Sequence, residues 1–338
     1  MTETTFPVKV SVVTLAYNQE RYIRQALDSI LAQECDFTYE CIIGDDCSTD
    51  ATPEILREYA ERFPDRINPV LRTTNLGARH NLADLLARCR GQYVAILDGD
   101  DYWTSPHKLQ RQVEFMDAHP DCALSFHDVR AIDRDGNDCD IPVALDSPAR
   151  SEIEDLLREN FISTCTVMYR WGLIGTPPGW FFETWISDYS LHVLHASHGW
   201  IGHIDEVMAA YRVHDAGMWS GEHAAVRADE FVKTLSFLDA EFDYRYHSEI
   251  EDSIRRHAYH EYADRFREAS ELFSRGLSRQ ARRHVPWLLL HSSWRDDIRL
   301  GAVVVLVVRS VAPWLVQPLV GLKQWSRGLL RPGSGDRR

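Results

Sequence analysis

Gly91-Gln92-Tyr93-Val94-Ala95-Ile96-Leu97-Asp98-Gly99-Asp100-Asp101 joins an apolar run to three carboxylates. Tyr93 to Leu97 has the length and composition of a buried strand, and the acidic cluster ends it. The same plan occurs twice upstream. Val8 to Leu15 is β-rich and leads into Ala16-Tyr17-Asn18, while Tyr39 to Ile43 leads into Gly44-Asp45-Asp46. Between these runs lie helical patterns. Asn18 to Gln33 carries Tyr22, Ile23, Ala26, Leu27, Ile30 and Leu31 at helical spacing, with Asn18 as its expected N-cap. Thr52-Pro53 opens a second helix, Ile67 to Leu71 is a third strand and Asn81 to Cys89 a short helix. Ser105-Pro106 starts another helix, and Cys122 to His127 is a fifth strand.

Strand and helix in alternation predict an α/β fold, with a mostly parallel sheet flanked by helices. Ligands of such sheets bind beyond the carboxyl ends of the strands. This topology would therefore bring the three polar clusters to one edge.

After Asp128 the pattern becomes irregular. Ser151-x-x-Glu154 is expected to be a capping box for a short helix. Phe161 to Tyr169 is expected as a strand, Ser187 to Ser197 as a helix, and Trp200 to Asp205 and Val207 to Val213 as two short strands. From about Ala224 onward the pattern is helical: Glu230 to Glu241, Ser248 to Phe273 and Ser278 to His291. The expected organisation is a sheet-bearing domain over 1–221, a helical extension over 222–330 and a disordered tail over 331–338.

Composition narrows the function. The chain has 338 residues, is 44% hydrophobic and 26% charged, and carries a net charge of −14. That is a globular chain with a core, and its acidity argues against nucleic acid as a partner. The seven cysteines are odd in number and form no CxxC pair, so no disulfide framework or zinc knuckle is indicated. The charge is uneven: Arg279 to Arg338 holds eleven basic residues against three acidic ones. Within it, Val303 to Val308, Trp314, Leu315, Leu319, Val320, Leu322 and Trp325 alternate with Arg309, Lys323 and Arg327. Such a pattern suits either an interfacial helix on an anionic membrane or a helix packed on the protein itself. Leu300 to Val308 is too short to span a bilayer.

Carboxylates spaced as Asp98-x-Asp100 after a strand can hold a hard divalent cation together with substrate phosphates. By itself the spacing fits equally a helix cap or a solvated loop. Asp45-Asp46 could accept a hydrogen bond from a base ring, while Ser48 to Asp50 fits an Asx-type turn. His192-x-x-His195-x-x-His198 has no such chemistry. Three-residue steps rotate by about −60° on a helix, which spreads the rings too widely for one ion. A partly exposed helix face is expected there. No G-x-G-x-x-G or G-x-x-x-x-G-K-[ST] occurs, which excludes dinucleotide-fingerprint and P-loop readings.

Three segments taken together, Val10 to Asn18, Gly44 to Asp50 and Gly91 to Asp101, resemble in order and context the successive motifs of family 2 glycosyltransferases with the GT-A fold. The resemblance runs from Val8 to Gly221. Asp100-Asp101-Tyr102-Trp103 and Tyr211-Arg212-Val213-His214 further resemble a bacterial branch that builds surface polysaccharides. It implies inverting transfer of a sugar from a nucleotide-diphosphate donor, a UDP-sugar first, to a hydroxyl of a glycan or lipid-linked acceptor. It also implies Mg2+ or Mn2+ as cofactor and a cytoplasmic location, with the inner face of the plasma membrane open as a contact. By the same resemblance Ala16, Tyr17 and Glu20 would line the nucleotide site. Asp46 would meet the base, Asp98 the ribose or a metal-bound water, and Gly99 the donor. Asp100 would bind metal directly, joined by His214, and Arg212 would touch phosphate. Asp188, in Trp185-Ile186-Ser187-Asp188-Tyr189, would be the catalytic base, although Ser187 stands where the family usually has an acid. A basic residue before Asn81 is expected to face the donor; Arg79 is chosen, with His80 open.

Two other classes stay open at this level. One is a nucleotidyltransferase, although Thr14 to Gln19 lacks the glycine and cation that would hold a triphosphate. The other is a glycosyltransferase-like scaffold without activity. Donor and acceptor identity would rest on loops such as Pro142 to Ala149 and Ile174 to Phe182.

Overall fold

The computed structural model describes residues 8–139, 147–214, 217 and 224–257. The helices expected beyond residue 257, the cationic C-terminal segment and residues 140–146 lie outside them. Two compact units divide the chain, Met1–His223 with Asp229–Ser253, and Ala224–Ala228 with Ile254–Arg338. The account that follows concerns the first.

The unit is built on strands β1 (Val10–Ala16), β2 (Tyr39–Asp45), β3 (Ile67–Leu71), β4 (Tyr93–Ile96), β5 (Tyr102–Trp103), β6 (Cys122–Ile132), β7 (Arg150–Ser151), β8 (Met168–Arg170) and β9 (Trp200–Arg212). The helices are α1 (Ile23–Leu31), α2 (Thr52–Arg62), α3 (Ala78–Arg88), α4 (Lys108–Ala118), α5 (Ile153–Arg158), α6 (Ser187–Ala196) and α7 (Ala224–Glu241). Short 3-10 turns occupy Thr164–Thr166 and Gly179–Phe182.

One sheet runs in the order β3-β2-β1-β4-β8-β6-β9-β5, with β7 on β9. β3, β2, β1 and β4 are parallel neighbours, as the alternation predicts. β8 then enters antiparallel between β4 and β6, whereas the long β6–β9 pairing is again parallel. Residues of β1, β2 and β4 that face the helices are apolar and fully buried, including Val10, Val12, Cys41, Ile43, Tyr93 and Ala95. They pack on Ile23, Leu27 and Ile30 of α1 and on Leu56 of α2, in one continuous core.

Several expected boundaries move for identifiable reasons. Asn18 does not cap α1, which begins after Tyr22. It adopts φ 53°, a left-handed conformation asparagine tolerates, and its Oδ1 accepts from Thr49 N–H at 2.8 Å. The capping box of α5 is one residue later than expected: Glu152 and Asp155 exchange side-chain and backbone bonds. The segment before Tyr169 is a loop and a 3-10 turn, and only Met168–Arg170 pairs as a strand. The two strands expected between 200 and 213 are one strand, irregular opposite His127 to Val129.

The largest departure is the histidine face. His192 and His195 are fully buried, and only His198 is exposed. Tyr169 Oη lies 2.7 Å from His192 Nδ1, and the His195 ring packs 4.3 Å from that of Tyr169. Burial pushes His195 down to about 3 and His192 to about 4, although the Asp188 charge pulls His192 back up. His127, buried on β6, is also pushed down to about 3. These rings fold in the neutral form and gain a proton when the chain unfolds below about pH 6.5. Their stabilisation is therefore complete above that pH and is lost as pH falls toward the folded values. All seven cysteines are free thiols. Among the described residues no helix is long and apolar enough to cross a membrane.

Urea denaturation between pH 7.5 and 4.5 should show stability falling with pH. Below about pH 6.5 that slope should be shallower in His195→Gln by about 1.4 kcal/mol per pH unit, one proton's worth. An unchanged slope would mean that His195 is not held neutral.

Candidate active site

Parallel pairing puts the ends of β1, β2 and β4 side by side: Ala16 faces Asp45, and Val13 faces Ile96. The loops that follow are stitched together. Asn18 N–H donates to Ser48 Oγ, and Gln19 N–H to Thr52 Oγ1, both at 2.9 Å. Glu20 N–H donates to Asp50 Oδ2, while Glu20 Oε2 accepts from Ala51 N–H. Glu20 thus closes one loop on the other. Tyr17 stands out from this floor, 49% exposed.

Asp46 is buried, and its two oxygens accept from Leu76 N–H and Gly77 N–H at 2.7 and 2.8 Å. The carboxylate therefore shapes the loop leading into α3. Asp45 beside it accepts from Ser48 N–H through Oδ2, and no protein donor reaches its buried Oδ1. Arg79, on α3, donates to Thr184 O at 3.3 Å. His80 instead stacks on Phe182, with ring centroids 4.8 Å apart, and is exposed.

The acidic loop after β4 is held against β1. Leu97 N–H donates to Val13 O and Gly99 N–H to Leu15 O, both at 3.0 Å. A Cβ on Gly99 would come within 2.1 Å of Gln19 Oε1, 2.8 Å of Ile23 Cδ1 and 3.1 Å of Leu15 O, so a side chain here would have to displace the ends of Gln19 and Ile23. Across the sheet, Asp101 Oδ1 accepts from Arg212 N–H at 2.7 Å. The buried Arg212 guanidinium returns the bond to Asp100 O at 2.9 Å, and also reaches Asp133 O and Gln25 Oε1. It lies 4.5 Å from the Tyr22 ring centre. Its donors are turned to the protein, beneath the acidic loop. Two residues on, His214 Nε2 lies 3.1 Å from Asp100 Oδ2.

Asp188 is in the first turn of α6, where the helix dipole favours an anion. Its Oδ2 accepts from Thr164 Oγ1 at 2.6 Å, and its Oδ1 from Tyr189 N–H at 2.8 Å. The approach to α6 is anchored by α7: Glu230 Oε2 accepts from Trp185 N–H, and Thr234 meets Thr184 hydroxyl to hydroxyl. Burial, then the charges of Asp100 and Asp188, pushes Asp98 up to about 8. Burial and Asp100 likewise hold Asp101 well above the usual carboxylate range. Asp98, Asp100 and Asp188 therefore share one electrostatic neighbourhood, and His214 joins it by its contact with Asp100.

Clustered carboxylates of like charge favour a cation among them. Asp100 and His214 offer two donors of suitable type for a divalent metal, leaving further positions for phosphate oxygens and water. Among the described residues no set of three or more such side chains forms a complete metal cage.

A model of glycosyl transferase family 2 matches residues 11–168, the span that builds this site floor. The chain carries a family 2 glycosyltransferase domain. An uncharacterised protein of Mycobacterium tuberculosis is 44% identical over 214 residues, 62% of this chain and 60% of that one. The putative teichuronic acid biosynthesis glycosyltransferase TuaG of Bacillus subtilis is 39% identical over 159 residues, 47% of this chain and 61% of that one. The chain thus spans about 60% of the length of both curated relatives. TarS of Staphylococcus aureus, solved as residues 1–349 with UDP-GlcNAc, superposes with a TM-score of 0.57 at 19% identity, over 74% of this chain and 72% of that one. A mannosyltransferase of Pyrobaculum calidifontis, solved with GDP-Man and Mn2+, gives 0.53 at 18%, over 90% and 87%. The domain has the GT-A fold.

Sequence reasoning passed over Thr164 and Cys165 as part of a strand. The polar run Ser163-Thr164 and Thr166 inside an apolar stretch was the available cue. Arg212, expected to touch phosphate, bonds through its guanidinium to Asp100 O, Asp133 O and Gln25 Oε1.

Arg212→Lys keeps the charge but cannot bridge the same carbonyls, so it should destabilise the domain by about 2–3 kcal/mol. Urea denaturation measures this, and wild-type stability would show that the bridge is dispensable.

Proposed function

We propose that this chain transfers a sugar from a nucleoside-diphosphate donor to a hydroxyl of a glycan or lipid-linked acceptor in surface-polysaccharide assembly. The observation that carries the reading is the convergence of Asp98, Asp100 and Asp188, with His214 on Asp100. It is supported by the family match, by the name of TuaG and by the donors bound in TarS and the mannosyltransferase. UDP-sugars are the first donors to test, and GDP-sugars the second.

An acceptor hydroxyl is a weak nucleophile at neutral pH. Asp188 accepts its proton as the oxygen attacks the anomeric carbon. The bond from that carbon to the diphosphate oxygen breaks, and its electron pair leaves with the nucleoside diphosphate. A single displacement from the opposite face inverts the anomeric centre. Asp100 and His214 would hold Mg2+ or Mn2+, which stabilises the charge on the leaving diphosphate. Asp98 would orient the ribose side, or a water on such a cation. Ala16, Tyr17, Glu20 and Gly99 form the floor under the nucleotide, with Asp45 and Asp46 beside the base. Arg79 links the donor side to the strap before Asp188, and Arg212 acts on the donor through the acidic loop that it braces.

Nucleoside diphosphate release from a panel of UDP- and GDP-sugars with Mn2+ provides the assay. Asp188→Asn should lower turnover by at least about 100-fold while leaving donor affinity nearly unchanged. Asp100→Asn and His214→Ala should each weaken Mn2+-dependent binding of the nucleoside diphosphate about tenfold or more. Full turnover by Asp188→Asn, or metal-independent binding by the wild-type chain, would sink the corresponding assignment.

A further inference from the structure

The 3-10 turn Thr164–Thr166 contacts both halves of the site. On one side, Cys165 O accepts at 2.9 Å from Nε1 of Trp103, two residues past Asp101. Thr166 O accepts from Gln112 Nε2 of α4 at 3.1 Å. Cys165 and Thr166 are fully buried, so the turn is fixed to β5, directly after the acidic loop, and to α4. On the other side, Thr164 Oγ1 donates to Asp188 Oδ2 at 2.6 Å.

The geometry points to Thr164 as the residue that positions the general base, an inference that rests on the reading of Asp188 as that base. A carboxylate turns about a broad terminal torsion unless its oxygens are held. Asp188 Oδ1 is held by Tyr189 N–H, which belongs to the same helix and fixes the carboxylate only relative to α6. Thr164 comes from a different element, bonded through Cys165 O to Trp103, the strand residue that follows the acidic loop. Its hydroxyl therefore fixes the second oxygen relative to the acidic loop that meets the donor. Oδ1 and Oδ2 each keep a lone pair for the acceptor proton. Thr164 touches no reacting atom and works through Asp188 by keeping the attack geometry populated.

The test uses the full chain, Mn2+ and the nucleotide sugar that the wild-type protein turns over fastest. Thr164→Val keeps the side-chain shape and removes the donor. It should lower kcat about 10- to 100-fold, the worth of one hydrogen bond to a charged group, with donor KM within about twofold. Thr164→Ser should recover kcat to within about threefold of wild type. In an Asp188→Asn background, Thr164→Val should cause no further loss, because the two act as one unit. Wild-type kcat in Thr164→Val, a loss carried by KM, or failure of a folded Thr164→Ser to recover would each overturn the proposal. If Thr164→Val does not fold, Thr164→Ala is judged by the same criteria. Turnover retained by Asp188→Asn would instead defeat the base assignment itself. Turnover abolished in Asp188→Asn beside an unaffected Thr164→Val would defeat only the role of Thr164.

Discussion

Arg212 and Asp101 hold each other across the carboxyl edge of the sheet. The backbone N–H at Arg212 donates to the Asp101 carboxylate, and the guanidinium donates to the carbonyl of Asp100. The exchange joins the loop after β4 to the end of β9, two elements separated by more than a hundred residues. His214 reaches Asp100 because β9 ends where this bond places it. The rest of the site is arranged around that joint. Trp103, two residues past Asp101, donates to Cys165 O, and through Thr164 the same turn reaches the helix that presents Asp188. Buried charge of this kind is costly unless each donor finds an acceptor, and here the guanidinium reaches three.

The cost of the arrangement is visible in its electrostatics. Asp98, Asp100, Asp101 and Asp188 sit close enough that burial and mutual repulsion raise Asp98 and Asp101. A fold selected for stability alone would not gather carboxylates in this way. An anionic diphosphate would be repelled by the same cluster unless a cation stood between them, so the charge pattern and the proposed metal answer one another. Next to this polar layer the protein buries groups that serve packing. Lys108 lies under Trp103, with its ammonium 4.2 Å from the ring centre, and burial pushes it down to about 7.

The N-terminal half was legible residue by residue because its signals are local. Apolar runs ending in Asp or Asn, a proline after Thr52 and period-3.6 apolar spacing are short-range patterns, and β1 to β4 follow them closely. Asp98, Asp100 and Asp188 are expected together only through the family resemblance, and the charges of Asp100 and Asp188 bear on Asp98. The histidine face on α6 misled for the opposite reason. Its polar residues suggested solvent, but α6 is buried on nearly all sides, and a neutral imidazole survives there by bonding to Tyr169 or to its own helix backbone.

By itself the sequence determined the α/β class, the parallel pairing of the first strands, the carboxylates that end them and the family. These depend on hydrophobic periodicity and on motifs a few residues long. Only the tertiary structure decided that β8 enters antiparallel beside β4, that Arg212 braces the acidic loop, that Glu20 and Asp46 tie loops together, and that Thr164 bonds Asp188. Each of these depends on side chains brought together by chain closure over tens to hundreds of residues. A hydrogen bond between such partners leaves no periodic trace in either segment, because its donor and acceptor are chosen by geometry and not by their neighbours in sequence.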